Sequence, residues 1–260
     1  MKQGLALTVL GVAVLGCTAD SGDEWIPLFN GQDLTGWTLK IVGSELGEDP
    51  WNTFRVEDGL LTVNYENYDT FDSRFGHLFY EQPFSHYLLR VEYRFVGEQL
   101  PDAPAWAFKN SGIMFHSQNP QSMLVDQTFP ISLEAQLLGG NGVEERPTAN
   151  LCTPGTHAEI DGVLVEDHCI TASAPTYHGD EWVTMDLLVL GDSLVAHIIE
   201  GDTVLAYTHP VIGGGSVNVF DETVKQDGTR LTEGYVALQS ESHPIQFRRV
   251  LLKRIDPSSH

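Results

Sequence analysis

The alternation of apolar and polar positions predicts β-strands along most of the chain. Between residues 88 and 95 every second residue is apolar, which is the period of a half-buried strand. One side carries Leu89, Val91, Tyr93 and Phe95, and the other carries Arg90, Glu92 and Arg94. Similar patterns predict a meander over residues 182–190, 193–200 and 203–208, and two closing strands over 234–241 and 245–255.

Turn signals separate these segments. Phe54-Arg55-Val56-Glu57 and Leu60-Leu61-Thr62-Val63 flank Asp58-Gly59, a dipeptide that favours a tight hairpin turn. Beyond the first residues, no stretch longer than about eight residues shows a helical period. Short strands and frequent turns without alternating helices predict an all-β, antiparallel sandwich.

Two neighbouring strands carry the polar residues of greatest interest. Residues 110–116 place Asn110, Gly112, Met114 and His116 on one strand face, because successive side chains alternate. In residues 131–137, Ser132, Glu134 and Gln136 share a face. This polar face is interpreted either as a solvated outer surface or as a polar cleft.

The charge and the first residues restrict the class of protein. The 260-residue chain has 14 Lys and Arg against 36 Asp and Glu, a net charge of −22, which disfavours nucleic acid as a partner. Residues 1–16 resemble a lipoprotein signal peptide, and Val14-Leu15-Gly16-Cys17 resembles the motif at which such a peptide is cleaved before the cysteine. We expect lipidation at Cys17, a tether over 17–24 and a single domain over 25–256. Export to the bacterial cell envelope follows, with membrane attachment only through the lipid; an ordinary signal peptide is the alternative.

The other two cysteines, Cys152 and Cys169, lie in a long stretch, 139–177, that has no clear strand pattern. In an exported chain an even remainder of cysteines favours a disulfide. Loops of this length are usually functional or cross-linked. We therefore expect a disulfide inside an irregular loop.

Four motifs in order resemble the 3-keto-disaccharide hydrolase domain family. They are Leu28-Phe29-Asn30-Gly31-Gln32-Asp33-Leu34-Thr35-Gly36-Trp37, Asn110-Ser111-Gly112-Ile113, Glu134-Ala135-Gln136, and residues 234–241 (GYVALQSE) with Phe247-Arg248. They span roughly residues 25–255. The resemblance implies a concanavalin A-like jelly roll of two curved antiparallel sheets, and cleavage of 3-keto-glycosides or 3-keto-disaccharides on the concave sheet.

In such a reaction a base removes the C2 proton, which the C3 ketone acidifies, and the group on C1 then leaves. The resemblance makes Glu134 the first candidate for the base or for a carboxylate that holds a metal ion, and His116 the second catalytic candidate. The candidates for binding the sugar are Asn110, Gln136, Arg94, Gln239, Glu241 and Arg248. Glu241 lies near a strand end, where solvent exposure is the commoner outcome, and Arg248 could equally pair with a carboxylate.

The chain departs from the family pattern at two of these places. Arg249 stands where members often have Asn, and Glu241 stands where members often have His in a Gln-x-His run. Glu159-Ile160-Asp161 is similar to part of a laminarinase-type motif, Glu-x-Asp-x-x-Glu, but Leu164 stands where the second glutamate is required, so a retaining glycosidase is rejected. A non-catalytic carbohydrate-binding module remains the alternative function. No cofactor is certain; calcium suits so many carboxylates, although no ligand loop of recognisable spacing is present.

Overall fold

The computed structural model describes residues 24–259, which form two antiparallel sheets. Within this part of the chain the strands, in chain order, are β1 (Ile26–Pro27), β2 (Trp37–Ile41), β3 (Phe54–Glu57), β4 (Leu60–Val63), β5 (Gly76–Tyr80), β6 (His86–Phe95), β7 (Asn110–Ser117), β8 (Leu133–Leu138), β9 (Asn150–Cys152), β10 (Thr156–Ile160), β11 (Val163–Val165), β12 (Cys169–Ile170), β13 (Val183–Leu190), β14 (Leu194–Ile199), β15 (Asp202–Ile212), β16 (Tyr235–Ser240) and β17 (Ile245–Arg254). Three 3-10 turns, Ala105–Ala107, Pro120–Ser122 and Pro257–Ser259, are the helical elements of the described residues.

The strands divide between a ten-stranded and a seven-stranded sheet. The larger sheet has the order β11-β10-β15-β14-β13-β6-β17-β4-β3, with β1 paired to β17. The smaller sheet has the order β12-β9-β8-β7-β16-β5-β2. Neighbours in the smaller sheet are mostly distant in sequence, so the chain crosses repeatedly between the two layers. This arrangement is the jelly-roll sandwich that the strand pattern and the resemblance predicted.

A hydrophobic core lies between the two sheets. The alternation of apolar and polar residues correctly predicts which face of each of the strands β6 and β8 packs in it. Leu89, Val91 and Tyr93 of β6 are at most 1% exposed and pack in this core. Leu133, Ala135 and Leu137 of β8 do the same from the smaller sheet; their burial turns the other face of β8 away from the core.

The hairpin of β3 and β4, the meander of β13 to β15 and the two closing strands are confirmed. Asp58 and Gly59 both have positive φ angles, 51° and 78°, as the tight turn requires. The expectation of an irregular loop over residues 139–177 is wrong, since β9 to β12 lie within it. These strands have two to five residues each, too short for a pattern to reveal them.

The disulfide between Cys152 and Cys169 is confirmed, with a Cα–Cα distance of 4.1 Å. The two cysteines face each other across the β9–β12 pair. It ties the edge strand β12, which is two residues long, to the sheet.

The signal peptide, Cys17 and most of the tether lie outside the described residues. Within residues 24–259, no helix has the length and apolar character needed to cross a membrane.

Candidate functional site

A cavity of about 800 Å³ lies on the face of the seven-stranded sheet that is turned away from the core. Its floor is made by side chains of β7 and β8 and by Glu241, which follows β16. Asn110, Glu134, Gln136 and Glu241 line the floor, and the walls include Trp106, Phe129, Arg146 and His168. The polar face of β8 therefore forms a cleft, and the alternative of a solvated outer surface is excluded.

Glu134 extends from β8 over the neighbouring strand β7, and Gly112 makes the space for it. A Cβ atom on Gly112 would lie 2.7 Å from both Cγ and Cδ of Glu134, far inside van der Waals contact. Glu134 is only 6% exposed. A glycine at this position thus brings a buried carboxyl group to the floor of the cavity.

Glu241 is the second carboxyl group of the floor. The expectation of a solvent-exposed side chain is wrong, since it is 4% exposed. The chain after β16 turns inward: Ser242 has a φ of 81°, and its N–H donates to the hydroxyl of Tyr65 at 2.8 Å. This buried turn directs Glu241 into the cavity, because it prevents the chain from leaving the sheet at Ser240.

The two glutamates form an unneutralised pair. Among the described residues, no cation or hydrogen-bond donor contacts either carboxyl group. Burial raises the pKa of Glu134 from 4.5 to about 8. Burial, and then the charge of Glu134, raise the pKa of Glu241 well above its usual range. Two like charges brought together in a buried site do not ionise at once, so the pair retains a proton near neutral pH.

Asn110, Gln136 and Gln239 lie on the same sheet face as the glutamates, as expected. Asn150 donates to Oε1 of Gln136 at 3.0 Å, which fixes the amide and leaves its N–H₂ group for a ligand. Oδ1 of Asn110 is buried without a hydrogen-bond partner within residues 24–259, and so are both polar atoms of Gln239. Asn110 and Gln136 therefore offer polar groups at the floor of the cavity, whereas Gln239 is fully buried beside it.

The side chain of Arg146 holds together the backbone segments that form one wall of the cavity. Its Nη1 donates to the carbonyl oxygens of Phe108 and Gly139 at 2.6 and 2.5 Å, and Nη2 donates to that of Trp106 at 3.2 Å. The guanidinium thereby fastens the 3-10 turn at Ala105–Ala107 beside the glutamates. Trp106 is 56% exposed at the rim, a position suited to stacking against a sugar ring.

The opposite wall is held by the disulfide. Cys152 pairs with Glu134 in the strand register, and Cys169 and His168 line the cavity. The backbone N–H of Thr153 donates to the carbonyl of His168 at 2.8 Å. The covalent link thus holds His168 near the carboxyl pair.

Residues 118–131 cover the remaining part of this sheet face. Gln127 organises this cover by donating to Oε1 of Gln118 and to the carbonyl of Phe129, both at 2.9 Å. The ring of Phe129 packs on Phe75 with centroids 4.8 Å apart and lines the cavity. Phe129 therefore marks the boundary between the open cavity and the covered part of the sheet.

His116 does not lie on the face of Asn110, and that expectation is wrong. Ala237 of β16 pairs with Met114, whereas Tyr235 pairs with Ser117, so β7 contains one extra residue there. This bulge, with a φ of 45° at His116, reverses the alternation.

Nε2 of His116 lies 2.9 Å from the carbonyl oxygen of Gly191, in the turn between β13 and β14, and burial lowers the pKa of His116 to about 4. The structure places His116 away from the cavity.

Arg94 and Arg248 belong to the ten-stranded sheet, so the structure does not bring these two candidates for sugar binding to the cavity that holds Glu134. Their guanidinium groups stack on Trp182, with Cζ atoms 4.6 and 4.7 Å from the ring centroid. Arg248 pairs with Glu92, and Arg94 donates to Oε1 of Gln246. The alternative that Arg248 pairs with a carboxylate is confirmed; a motif cannot tell which sheet its residues join.

Within residues 24–259 no group of three or more His, Cys, Asp or Glu side chains is arranged to hold a metal ion. Sequence reasoning missed the structural roles of Arg146, Phe129 and His168 in the cavity. All three lie in segments that showed no strand period, so no pattern in the sequence pointed to them.

The fold and the site together define a jelly-roll domain with a paired-glutamate cavity on its smaller sheet. Residues 24–253 match the model of the 3-keto-alpha-glucoside-1,2-lyase-like domain, and the chain belongs to this family, as the four motifs predicted. None of the curated protein sequences matches the chain.

Solved structures with the same fold are distant in sequence. A candidate glycosyl hydrolase from Parabacteroides distasonis is 18% identical, with a TM-score of 0.52 over 89% of this chain and 94% of that one. A Bacillus subtilis protein described as having a galectin-like fold is 13% identical, with a TM-score of 0.54 over 89% and 94%. At these identities the likeness shows the shared fold.

Proposed function

We propose that this protein is an exported enzyme that cleaves 3-keto-glycosides or 3-keto-disaccharides at the C1–oxygen bond. The observation that carries this proposal is the buried glutamate pair, in which neither Glu134 nor Glu241 has a cationic partner among the described residues. Membership of the 3-keto-alpha-glucoside-1,2-lyase-like family supplies the reaction class. The cavity volume falls within the roughly 300–1,000 Å³ typical of small-molecule sites.

The pair supplies the two proton transfers that the reaction needs. Glu134, as a carboxylate, removes the proton from C2. The electron pair of the broken C–H bond then forms the enolate of the C3 ketone. The enolate then expels the oxygen on C1, and Glu241, as a carboxylic acid, protonates that leaving oxygen. The products are an unsaturated 3-keto sugar and an alcohol. Over the reaction Glu134 gains one proton and Glu241 loses one.

Burial suits the glutamates to these roles. A carboxylate whose pKa is raised to about 8 is a stronger base than an exposed glutamate. Burial and the charge of Glu134 raise the pKa of Glu241 well above its usual range, so Glu241 keeps a proton until the leaving oxygen needs it. Addition of water to the unsaturated sugar would convert the elimination into a net hydrolysis.

The side chains that line the floor and walls of the cavity suit a sugar as ligand. Gln136 and Asn110 offer neutral hydrogen-bonding groups to hydroxyls, and Trp106 offers an aromatic face at the rim. These features favour a neutral, hydroxyl-rich substrate. They are also what a binding module would need, so a non-catalytic carbohydrate-binding module is the second candidate, favoured by the exposure of Trp106.

The test uses the mature chain and a 3-keto-glucoside with a chromogenic leaving group, with and without EDTA. Chromophore release that is lost in Glu134→Gln and in Glu241→Gln, with both variants folded, supports the enzyme. Absence of release, together with a saturable rise in melting temperature on addition of unmodified oligosaccharides, supports the binding module. Loss of release with EDTA would add a divalent cation, calcium included, to the mechanism.

The location is part of the same proposal. We infer that Cys17 becomes the lipid-carrying N-terminus of an envelope protein whose partner is a small glycoside. Replacement of Cys17 by Ser is expected to move the protein from the membrane fraction to the soluble one, whereas an ordinary signal peptide predicts no change.

A further inference from the structure

A row of three buried polar side chains crosses the seven-stranded sheet beside the cavity. Lys40 of β2 pairs with His77 of β5, and His77 pairs with Gln239 of β16. Residues directly opposite each other in a sheet project from the same face. All three therefore lie on the sheet face that carries the glutamate pair.

Three polar atoms of His77 and Gln239 in this row lack protein partners. Nε2 of His77 and both Oε1 and Nε2 of Gln239 are buried with no hydrogen bond to any residue in 24–259. The two residues are 1% and 0% exposed. An unsatisfied buried polar group destabilises the fold, so native proteins seldom keep several together without water or a ligand to satisfy them.

Lys40 places a positive charge behind His77. Its Nζ donates to the carbonyl oxygens of Ile41, Ser44 and Val125 at 3.0, 3.1 and 2.8 Å. Burial, and then the charge of Lys40, lower the pKa of His77 to about 3, so its imidazole is neutral. In one of its two neutral tautomers Nε2 carries the proton and donates a hydrogen bond.

This row also lies next to the glutamate that acts as base. Leu238 pairs with Ile113, which sets the adjacent residues Gln239 and Gly112 beside each other, and Glu134 lies directly over Gly112. The ring of Phe129 separates the row from the open cavity, with its centroid 6.0 Å from that of His77. Because His77 and Gln239 are buried and Phe129 lines the cavity, a ligand reaches the row only when the Phe129 ring moves aside.

We propose that His77 and Gln239 donate hydrogen bonds to the C3 oxygen of the 3-keto sugar, with Lys40 as the positive charge behind them. The proposal rests on the function proposed above and names the groups that stabilise the enolate. As the C2 proton moves to Glu134, the electron pair of the C–H bond forms the C2–C3 double bond and leaves negative charge on the C3 oxygen. Neutral donors backed by a fixed cation stabilise that charge more than the uncharged ketone.

The experiment separates enolate formation from departure of the leaving group. A methyl 3-keto-glucoside is held in D₂O with the mature enzyme, and exchange of its C2 proton is followed by NMR. Release of a chromogenic leaving group is measured in parallel. The variants are Gln239→Met, His77→Leu and His77→Gln, with His197→Gln as the control, because His197 is equally buried but binds Ala149 and Tyr207 inside the core.

Gln239→Met and His77→Leu are expected to slow exchange about 100-fold or more, the usual cost of an oxyanion donor. Their melting temperatures should stay level or rise, because each removes an unsatisfied group. His77→Gln should recover part of the rate, since its amide can donate from nearly the same place. The control should retain the wild-type rate per folded molecule.

Exchange within threefold of wild type in both Gln239→Met and His77→Leu would overturn this inference and leave the proposed function intact. Wild-type protein that neither exchanges the proton nor releases the chromophore would overturn the proposed function, and this inference with it. If Gln239→Met does not fold, the comparison of His77→Leu with His77→Gln decides the same question.

Discussion

Glu134 lies over Gly112 of the adjacent strand, in space that any other residue would fill. The carboxyl group reaches the cavity floor because β7 has no side chain at this point. The position of the proposed base is therefore fixed from the neighbouring strand as much as from its own.

Gly112→Ala is expected to displace Glu134 and lower kcat/KM at least tenfold, because misplacement of a base by about 1 Å can cost a factor of 100. The measurement is turnover of the chromogenic substrate alongside thermal unfolding. Gly215→Ala is the matched control, since a Cβ there meets no atom within 4 Å. Equal turnover in Gly112→Ala and wild type would contradict the role of this contact.

The pH dependence of turnover should follow the glutamate pair. The base must be ionised and the acid protonated, so kcat/KM should form a bell. Its acidic limb should lie near pH 8, where the pKa of Glu134 lies, and its basic limb should reflect the raised pKa of Glu241. These limbs belong to the pair as a whole. A rate that is already maximal at pH 5 would contradict the assignment.

Stability should also respond to Glu134. Its pKa is raised on folding from 4.5 to about 8, so the folded state holds this proton more tightly than the unfolded chain does. The resulting stabilisation is complete below about pH 4.5 and is lost as the pH rises through about 8. The free energy of unfolding, measured with urea, should therefore fall between pH 5 and 8. Glu134→Gln should remove this contribution to the pH dependence. Glu145→Gln, an exposed control, should keep it.

The disulfide is expected to stabilise both the fold and the cavity wall. Replacing Cys152 and Cys169 together by Ala should lower the free energy of unfolding by about 3 kcal/mol, the size expected for a loop of this length. Because Cys169 and His168 line the cavity, KM should rise more than kcat falls. Unfolding by urea and steady-state kinetics measure the two effects. An unchanged KM would show that this wall does not contact substrate.

Arg146→Lys tests the opposite wall. Lysine keeps the charge but cannot span the three carbonyl oxygens that the guanidinium reaches. We expect KM to rise about tenfold as the turn carrying Trp106 loosens, with kcat changed less. Arg55→Lys, at an ion pair outside the cavity, is the control. Equal KM values for Arg146→Lys and wild type would contradict the positioning role.

Much of the architecture was readable from local patterns. Period-two alternation in β6 and β8 identified the buried faces, and Asp58-Gly59 identified a hairpin. Glu134 was placed on the correct face because β8 is regular. Patterns failed for β9 to β12, whose two to five residues hold too little alternation, and for Glu241, whose burial depends on the turn at Ser242.

The sequence by itself determined an all-β sandwich, a disulfide and a polar face containing Glu134, because strand alternation and turn chemistry are local properties. The tertiary structure alone decided which polar residues meet. A single-residue bulge turned His116 away, membership of the other sheet removed Arg94 and Arg248, and cross-strand register brought Lys40, His77 and Gln239 beside the glutamates. Pairings between strands that are distant in sequence set these positions, and no local pattern encodes them.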